Sequence, residues 1–341
     1  MSDTTEVKEH FDLTEYNTMG ISAKSRYFAS VTSANELRQL LLKPDYKLVP
    51  KLVLGGGSNI LFANDFEGLV IHLDIKGREM IEKTDDHILW KLGSGEDWHE
   101  SVIRAIDKGW GGIENLSLIP GSVGAAPIQN IGAYGVELEQ VFHSLEALDL
   151  DTGVLKTFKH ADCKFGYRDS IFKNELKGKY VITSVTLNLK KDHELNTEYR
   201  ALSEKLEEKG ITEPTIKDIS DLVIEIRRSK LPDPAELGNT GSFFKNPVIT
   251  ETEFKRLKKD HPEVPNYPDK DGIKIPAAWL IDQCGWKGER FGDAGVHKMQ
   301  ALVLVNYGNA TGADIIGLAE KIRASVHEKF SVALTPEVNI V

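Results

Sequence analysis

A multi-domain α+β fold is expected for this 341-residue chain, on three observations. The length exceeds what one ordinary core fills and suits two or three domains, each able to bury enough apolar surface to fold. With 40% hydrophobic and 28% charged residues, the composition is that of globular proteins, with no disordered or fibrous signature. Strand-like and amphipathic helical patterns interleave along the chain, and the proline-bounded LPDP at 231–234 separates a longer first part from a smaller α/β unit.

Ser33 with Glu36 makes a capping box that opens a helix carrying Leu37, Leu40 and Leu41 on one face, stopped at Pro44. A strand at Lys51 to Leu54 runs into GGGSN; apolar character resumes at Ile60 to Phe62, and Gly68 to Asp74 reads as another strand. Asp97 with Glu100 opens a second helix, bearing Trp98, Val102, Ala105 and Ile106 and ending at Gly109. From Gly109 to Gly135 neither periodicity appears; so long a loop in a folded domain is usually functional.

Strands follow at Phe142 to Leu150, Val154 to Phe158 and around Val181 to Leu189, with a turn at Asp151 to Gly153. Tyr199 to Lys209 and Ile216 to Arg228 read as helices. Beyond the LPDP break come a strand near Ser242 to Phe244, a helix from Pro276 to before Gly285, the strand Ala301 to Asn306 and the helix Ala313 to Phe330. The closing TPEVNIV is expected to return as a strand to an existing sheet.

A net charge of −10 opposes counterion-driven binding to nucleic acid or an anionic membrane. The short basic cluster Arg227, Arg228 and Lys230 suits either a helix end or one small anion. Two distant cysteines, Cys163 and Cys284, make neither a disulfide framework nor a metal-ligand pair, so no structural metal is expected. The start of the chain is polar and no apolar run approaches the ~20 residues that span a bilayer, so a cytosolic protein is expected.

Two glycine-rich segments stand out. LVLGGGSNILF offers consecutive backbone N–H groups without side-chain obstruction, as a diphosphate requires where no cation is spared, with Ser58 and Asn59 as further donors. It is neither a P-loop nor a dinucleotide fingerprint, and a plain strand-connecting turn is the alternative. SLIPGSVGAAPIQNIGAYG repeats the device with Gly121, Ser122, Gly124, Ala125 and Ala126, where the alternative is a tight structural loop.

With LVLGGGSN, NLSLIPGSVGAAPIQNIGAYGVE, FGYRDSIFK, RRSKLPDP, GSFFKNP, AAWLIDQCGWKG, VHKMQALVLVN and TPEV in this order, the chain resembles the UDP-N-acetylenolpyruvoylglucosamine reductase family from about Tyr16 to the C-terminus. The region from Tyr199 to Ile226 resembles the subclass with an extra tyrosine-bearing segment. The resemblance implies a PCMH-type FAD-binding fold of two α+β subdomains plus a C-terminal α/β substrate-binding domain. The expected boundaries are 1–75 joined by the C-terminal strand 332–341, then 76–229, then 230–331. It further implies a cytoplasmic step of peptidoglycan precursor synthesis: NADPH reduces bound FAD, which reduces the enolpyruvyl group of a UDP-sugar. The implied partners are these small molecules alone, and a monomer is expected. Another PCMH-type FAD oxidoreductase with covalently linked flavin is the alternative, for which His72 is the candidate attachment point. A nucleotide-binding protein that lost the chemistry is a second.

The residues implied by the resemblance fall into three groups. The catalytic group is Ser242 as proton donor, Arg168 facing the substrate carboxylate, and Glu337 beside it, useful if burial raises its pKa. The cofactor group is Gly55, Gly56, Gly57, Ser58, Asn59, Ile119, Pro120, Gly121, Ser122, Ala125, Ile128, Gly132, Ile182 and Arg227. The substrate group is Tyr134, Tyr167, Tyr199, Lys230, Asn246 and Gln300, with Lys230 toward diphosphate; for Tyr199 a helix-capping aromatic is the competing assignment. Relatives often carry Arg two residues after the glutamate, where this chain has Asn339.

Overall fold

The computed structural model describes residues 5–341; the first four residues of the polar start lie outside it. The chain folds into two units, one of residues up to 11, 25–56 and 67–229, the other of 12–24, 57–66 and 230–341. Among the described residues no helix is long and apolar enough to cross a membrane.

The first unit holds two sheets. A four-stranded sheet runs in the order Lys8–Asp12, Lys24–Val31, Phe66–Leu73, Lys51–Leu54, the last two strands parallel with Leu54 opposite His72. Against it lies the helix Ala34–Leu41, where Ser33 accepts from the Glu36 N–H at 3.1 Å. The return arm of the expected capping box goes one residue further back: Thr32 N–H and hydroxyl both donate to the Glu36 carboxylate. Leu37, Leu40 and Leu41 are buried with Ala29, Val31, Leu69 and Ile71, as the apolar spacing requires.

The second sheet is antiparallel throughout, in the order Leu155–Lys159, Phe142–Asp149, Tyr180–Lys190, His87–Gly93, Arg78–Lys83. Two of its strands were not expected. Arg78–Lys83 is an exposed edge with no alternation to announce it. His87–Gly93 does carry the signal, since Ile88, Trp90 and Leu92 alternate into the core. The helix Trp98–Asp107 packs on this sheet through Trp98, Val102, Ala105 and Ile106, and burying each large apolar chain contributes about 1.5–3 kcal/mol. Asp97 caps it by accepting from Glu100 N–H at 2.7 Å, but the Glu100 carboxylate turns to Arg78 instead of closing a box. Helices Arg200–Glu208 and Ile216–Lys230 form a hairpin around Leu202, Leu206, Ile219, Leu222, Val223 and Ile226, with Tyr134 and Leu195 packed against them.

In the second unit Gly238–Ser242, Val303–Asn306, Ala294–Val296 and Arg290–Phe291 form an antiparallel sheet. The expected strand near Ser242 to Phe244 thus ends at Ser242. The helix Gly312–Phe330 opens with a capping box in which Thr311 and Asp314 satisfy each other's N–H groups. Helix Ala277–Gln283 begins one residue after Pro276, which occupies the N-cap. The helix Glu251–Asp260 and the small sheet of Val248–Ile249, Gly272–Lys274 and Tyr267–Asp269 were not expected. The closing residues do form a strand, but Asn339–Ile340 joins no larger sheet; it pairs parallel with Ile60–Leu61 alone.

Candidate functional site

In the first unit the two glycine-rich segments meet. The strand Lys51–Leu54 delivers Gly55 and Gly56 against the second segment so closely that a Cβ on Gly55 would lie 2.2 Å from Ser122 Oγ. One on Gly56 would lie 3.0 Å from Gly121 Cα. Neither position tolerates a side chain without movement, so bare backbone from both segments shares one place.

The second segment is held there from behind. Trp98 Nε1 donates to Leu116 O at 3.0 Å, Trp98 N–H to Gly121 O at 3.0 Å, and the N–H groups of Val123 and Gly124 bond Glu96 O and Ser94 O, each at 2.9 Å. Leu118, in the left-handed region at φ +58°, donates its N–H to His99 Nδ1 at 2.9 Å and accepts from Arg227 Nε at 3.2 Å. His99 must therefore be neutral, and burial pushes its pKa down, aided by Arg228 and Arg227 and opposed by Asp97. Ser117 and Ser220 hydroxyls meet at 2.8 Å in the interior. On this framework Ser122 and Gly124 are buried, Ile119 is half-buried, and Pro120, Ala125 and Ile128 are exposed. Ile182 is placed differently from the rest, its side chain packed into the sheet core.

Next to this loop stands a cluster of cations and phenols. Arg168 has φ +52°, donates to the Gly132 carbonyl, lies 3.6 Å from Glu137, and places its guanidinium 5.3 Å from the centre of the Tyr167 ring. Glu137 is fixed in turn by Asn130 Nδ2 at 2.9 Å, and the fully buried Asn130 also donates to Gly166 O at 3.1 Å. Arg227 is hydrogen-bonded to the Tyr134 phenol, whose pKa burial raises against the opposing pull of that cation. Arg168 and Arg227 are near enough to repel. Tyr134 and Tyr199 rings touch edge to face, centroids 5.1 Å apart at 75°. Tyr199 is at the N-cap of its helix without a capping hydrogen bond, and is 48% exposed. Glu137, Asn130 and His99 were not among the residues expected; only the GVE of the motif hinted at the first.

In the second unit Ser242 is aimed by a β-bulge. Asn239 pairs with Val305 but Ser242 with Val303, and the intervening Gly241 sits at φ +69° with its N–H bonded to Asn239 Oδ1 at 2.9 Å. The Glu337 segment runs alongside: Glu337 N–H donates to Phe243 O at 2.8 Å and Lys245 N–H to Thr335 O at 2.9 Å. These bonds bring the backbones bearing Ser242 and Glu337 together. Asn59 accepts from Asn339, through backbone N–H at 3.2 Å and side-chain Nδ2 at 2.9 Å, so Asn339 ties the GGGSN turn to the Glu337 segment. Gly57, at φ +64°, leaves no room for a Cβ, which would lie 2.1 Å from Tyr16 O. Ser58 is half-buried, Lys230 is exposed, and Gln300 Oε1 accepts from Leu302 N–H at 3.4 Å. Asn246 uses its carboxamide oxygen to accept the Ala277 N–H at 2.9 Å, holding a helix start.

The family model "UDP-N-acetylenolpyruvoylglucosamine reductase, C-terminal domain" matches residues 233–341, and "FAD binding domain" matches residues 25–159. A protein of Flavobacterium johnsoniae named UDP-N-acetylenolpyruvoylglucosamine reductase is 49% identical over 98% of this chain and 100% of its own length. The chain belongs to that reductase family. An Amoebophilus asiaticus member is 52% identical over 98% of this chain and 99% of its own, and one from Pseudomonas aeruginosa 47% identical over 98% and 99%. The fold is shared with the crystal structure of the reductase from Thermus caldophilus, with a TM-score of 0.68 over 98% of both chains at 23% identity. Family membership makes this chain an FAD-dependent oxidoreductase with the expected α+β, PCMH-type fold.

Proposed function

We propose that the chain reduces the enolpyruvyl group of UDP-N-acetylglucosamine enolpyruvate to the D-lactyl ether of UDP-N-acetylmuramate with electrons from NADPH, in the cytoplasm, as a monomer. The observation that carries this reading is the meeting of Gly55 and Gly56 with Gly121 and Ser122, which sets two stretches of bare backbone side by side with no room for a Cβ between them. By the family resemblance FAD would be held here, its diphosphate by the bare backbone of the Gly55 to Asn59 turn and its ring by Ile119 to Ser122, Ala125, Ile128 and Gly132, with Arg227 bonded to Leu118 O of that loop. Bound FAD supplies a two-electron relay between NADPH and the substrate. The expected division at 75, 229 and 331 remains our proposal for the functional domains, supported by the two separate sheets of the first unit.

The residues of this chain manage charge and protons. Addition of hydride to the terminal enolpyruvyl carbon puts negative charge on the carbon beside the carboxylate, delocalised into it. Arg168 neutralises that carboxylate through two parallel charge-assisted hydrogen bonds, its fork held by Gly132 O and Glu137. Glu337 lies beside the same group in this reading, on the segment whose N–H bonds Phe243 O. Ser242 then gives its hydroxyl proton to the carbanionic carbon: its O–H bond breaks, the C–H bond forms, and solvent reprotonates the alkoxide. The bulge at Gly241 turns the backbone at Ser242 and so sets the direction of its Cα–Cβ bond. Tyr134, Tyr167, Tyr199, Lys230, Asn246 and Gln300 bind the UDP-sugar, with Lys230 on the diphosphate.

The test separates the half-reactions. Ser242→Ala is expected to keep its yellow colour and to bleach under anaerobic NADPH at the wild-type rate. Turnover of the enolpyruvyl substrate should fall by at least 10²-fold, as loss of a positioned proton donor costs; near-normal turnover removes Ser242 from the mechanism. His72, on the strand beside Gly55, bonds Ser30 Oγ at 3.0 Å. Acid precipitation is expected to release the flavin into the supernatant, and colour kept in the pellet would favour the covalent-flavin alternative.

A further inference from the structure

We propose that Asn115 is a positioning residue for substrate binding, a clamp that sets the spacing between the two tyrosine-bearing segments. The proposal rests on the assignment of Tyr134 and Tyr199 as substrate contacts. Asn115 is 0% exposed and uses both amide protons on backbone carbonyls, one to Tyr134 O and one to Asn196 O, each at 2.9 Å. Those acceptors belong to segments otherwise far apart in sequence. One is the tip of the glycine-rich loop; the other leads through two residues into Tyr199. Asn196 returns the tie, its Nδ2 donating to Gly135 O at 3.1 Å. The preceding residue repeats it, since Glu114 lies 3.0 Å from His193 Nε2 and accepts the Gly112 N–H at 2.7 Å.

The geometry held by this clamp is not one the chain adopts by itself. Tyr134 sits at φ +49°, a left-handed conformation disfavoured for a side chain of its size, and Gly135 follows at φ +83° with Asn196 atoms within 3.3 Å of where a Cβ would be. Tyr199 stands at the N-cap of its helix, with nearly half its surface open. The pair of hydrogen bonds from below joins the backbones that carry the two rings at the spacing of their edge-to-face approach. Asn115 Oδ1 is buried without a hydrogen-bond partner, so swapping the amide's oxygen and nitrogen would set an oxygen against two carbonyls. The clamp is directional for that reason.

The experiment is a double-mutant cycle on the flavin-loaded enzyme. Asn115→Ala is expected to raise KM for the enolpyruvyl UDP-sugar at least tenfold with kcat changed less than threefold. In a Tyr199→Ala background the same substitution should raise it less than threefold, because the ring it positions is gone. Equal increases in both backgrounds, or none, overturn the proposal; the first marks a general packing role. Should Asn115→Ala lose its flavin, Asn196→Ala loosens the same tie from the half-exposed side, and its KM must rise with the same dependence on Tyr199. Tyr199→Ala alone tests the premise. An unchanged KM there removes the tyrosine assignment, whereas a raised KM there with unchanged KM in both asparagine variants removes only the clamp.

Discussion

At Gly55 the requirement for glycine is steric, not conformational. Its φ is ordinary, but an added Cβ would meet Ser122 Oγ at 2.2 Å and Ser122 Cβ at 3.4 Å. Gly55→Ala is expected to destabilise the protein by about 1–3 kcal/mol, as overpacking does, and to leave it purifying with much less FAD. Adding Ser122→Gly should restore both flavin content and melting temperature, because it removes the atoms struck; no restoration would place the cause elsewhere. This contact shows what the sequence could and could not disclose at residue scale. Bare backbone at GGGSN and PGSVGAA was readable from composition, whereas the meeting of the two segments is a tertiary fact with no local signature. The same holds for Glu137 and Asn115, which look like ordinary surface or loop polar residues until Arg168, Tyr134 and Asn196 are placed beside them.

Two elements orient the segments on which the proposed function depends. Gly241 has open space where a Cβ would go, so Gly241→Ala isolates the effect of φ +69°. It is expected to cost about 1–2 kcal/mol and to reduce turnover more than stability implies, since relaxing the bulge re-aims Ser242; wild-type turnover at lowered melting temperature would show that the bulge is only structural. The helix Trp98–Asp107 holds the second glycine-rich loop through His99, whose Nδ1 accepts the Leu118 N–H. Its folded pKa is below the ordinary value of about 6.5, so its stabilising contribution is present above that pH and lost as pH falls through the depressed folded value. In His99→Asn, where an amide oxygen can take the Nδ1 place, melting temperature should fall less steeply between pH 6.5 and 5 than in the wild type; parallel profiles would clear His99. Helices with a wide buried face were legible in the sequence because burial enforces their period, whereas Glu251–Asp260, which buries only Leu257, was not. The loop from Gly109 to Gly135 was legible only as an absence of period, and its buried polar residues Glu114, Asn115 and Ser117 read as solvent-facing until their partners are known.

For the whole molecule, the decisive feature is that the second unit is assembled from three stretches of chain. The break at LPDP was visible to sequence reasoning because proline and a helix end coincide there. The contribution of 12–24 and 57–66 was not, because long-range pairings leave no local pattern. Asn239 N–H bonds Thr18 O at 2.9 Å, Thr18 Oγ1 returns to Asn239 O at 2.7 Å, and the buried Asn306 donates to Met19 O at 3.0 Å. Gly312 lies so close to Phe62 that a Cβ would be 1.9 Å from its carbonyl oxygen. Leu13, Met19, Ile21, Ile60, Leu61 and Phe62 are all buried. At about 1.5–3 kcal/mol each, those six side chains supply on the order of 10 kcal/mol, as much as the net stability of a whole domain, roughly 5–15 kcal/mol. Residues 230–341 expressed alone are therefore expected not to fold, despite containing most of the second unit's helices and strands. Amide resonances should be narrowly dispersed and the thermal transition non-cooperative; a dispersed spectrum with a cooperative transition would mean that the two early stretches decorate this unit rather than complete it.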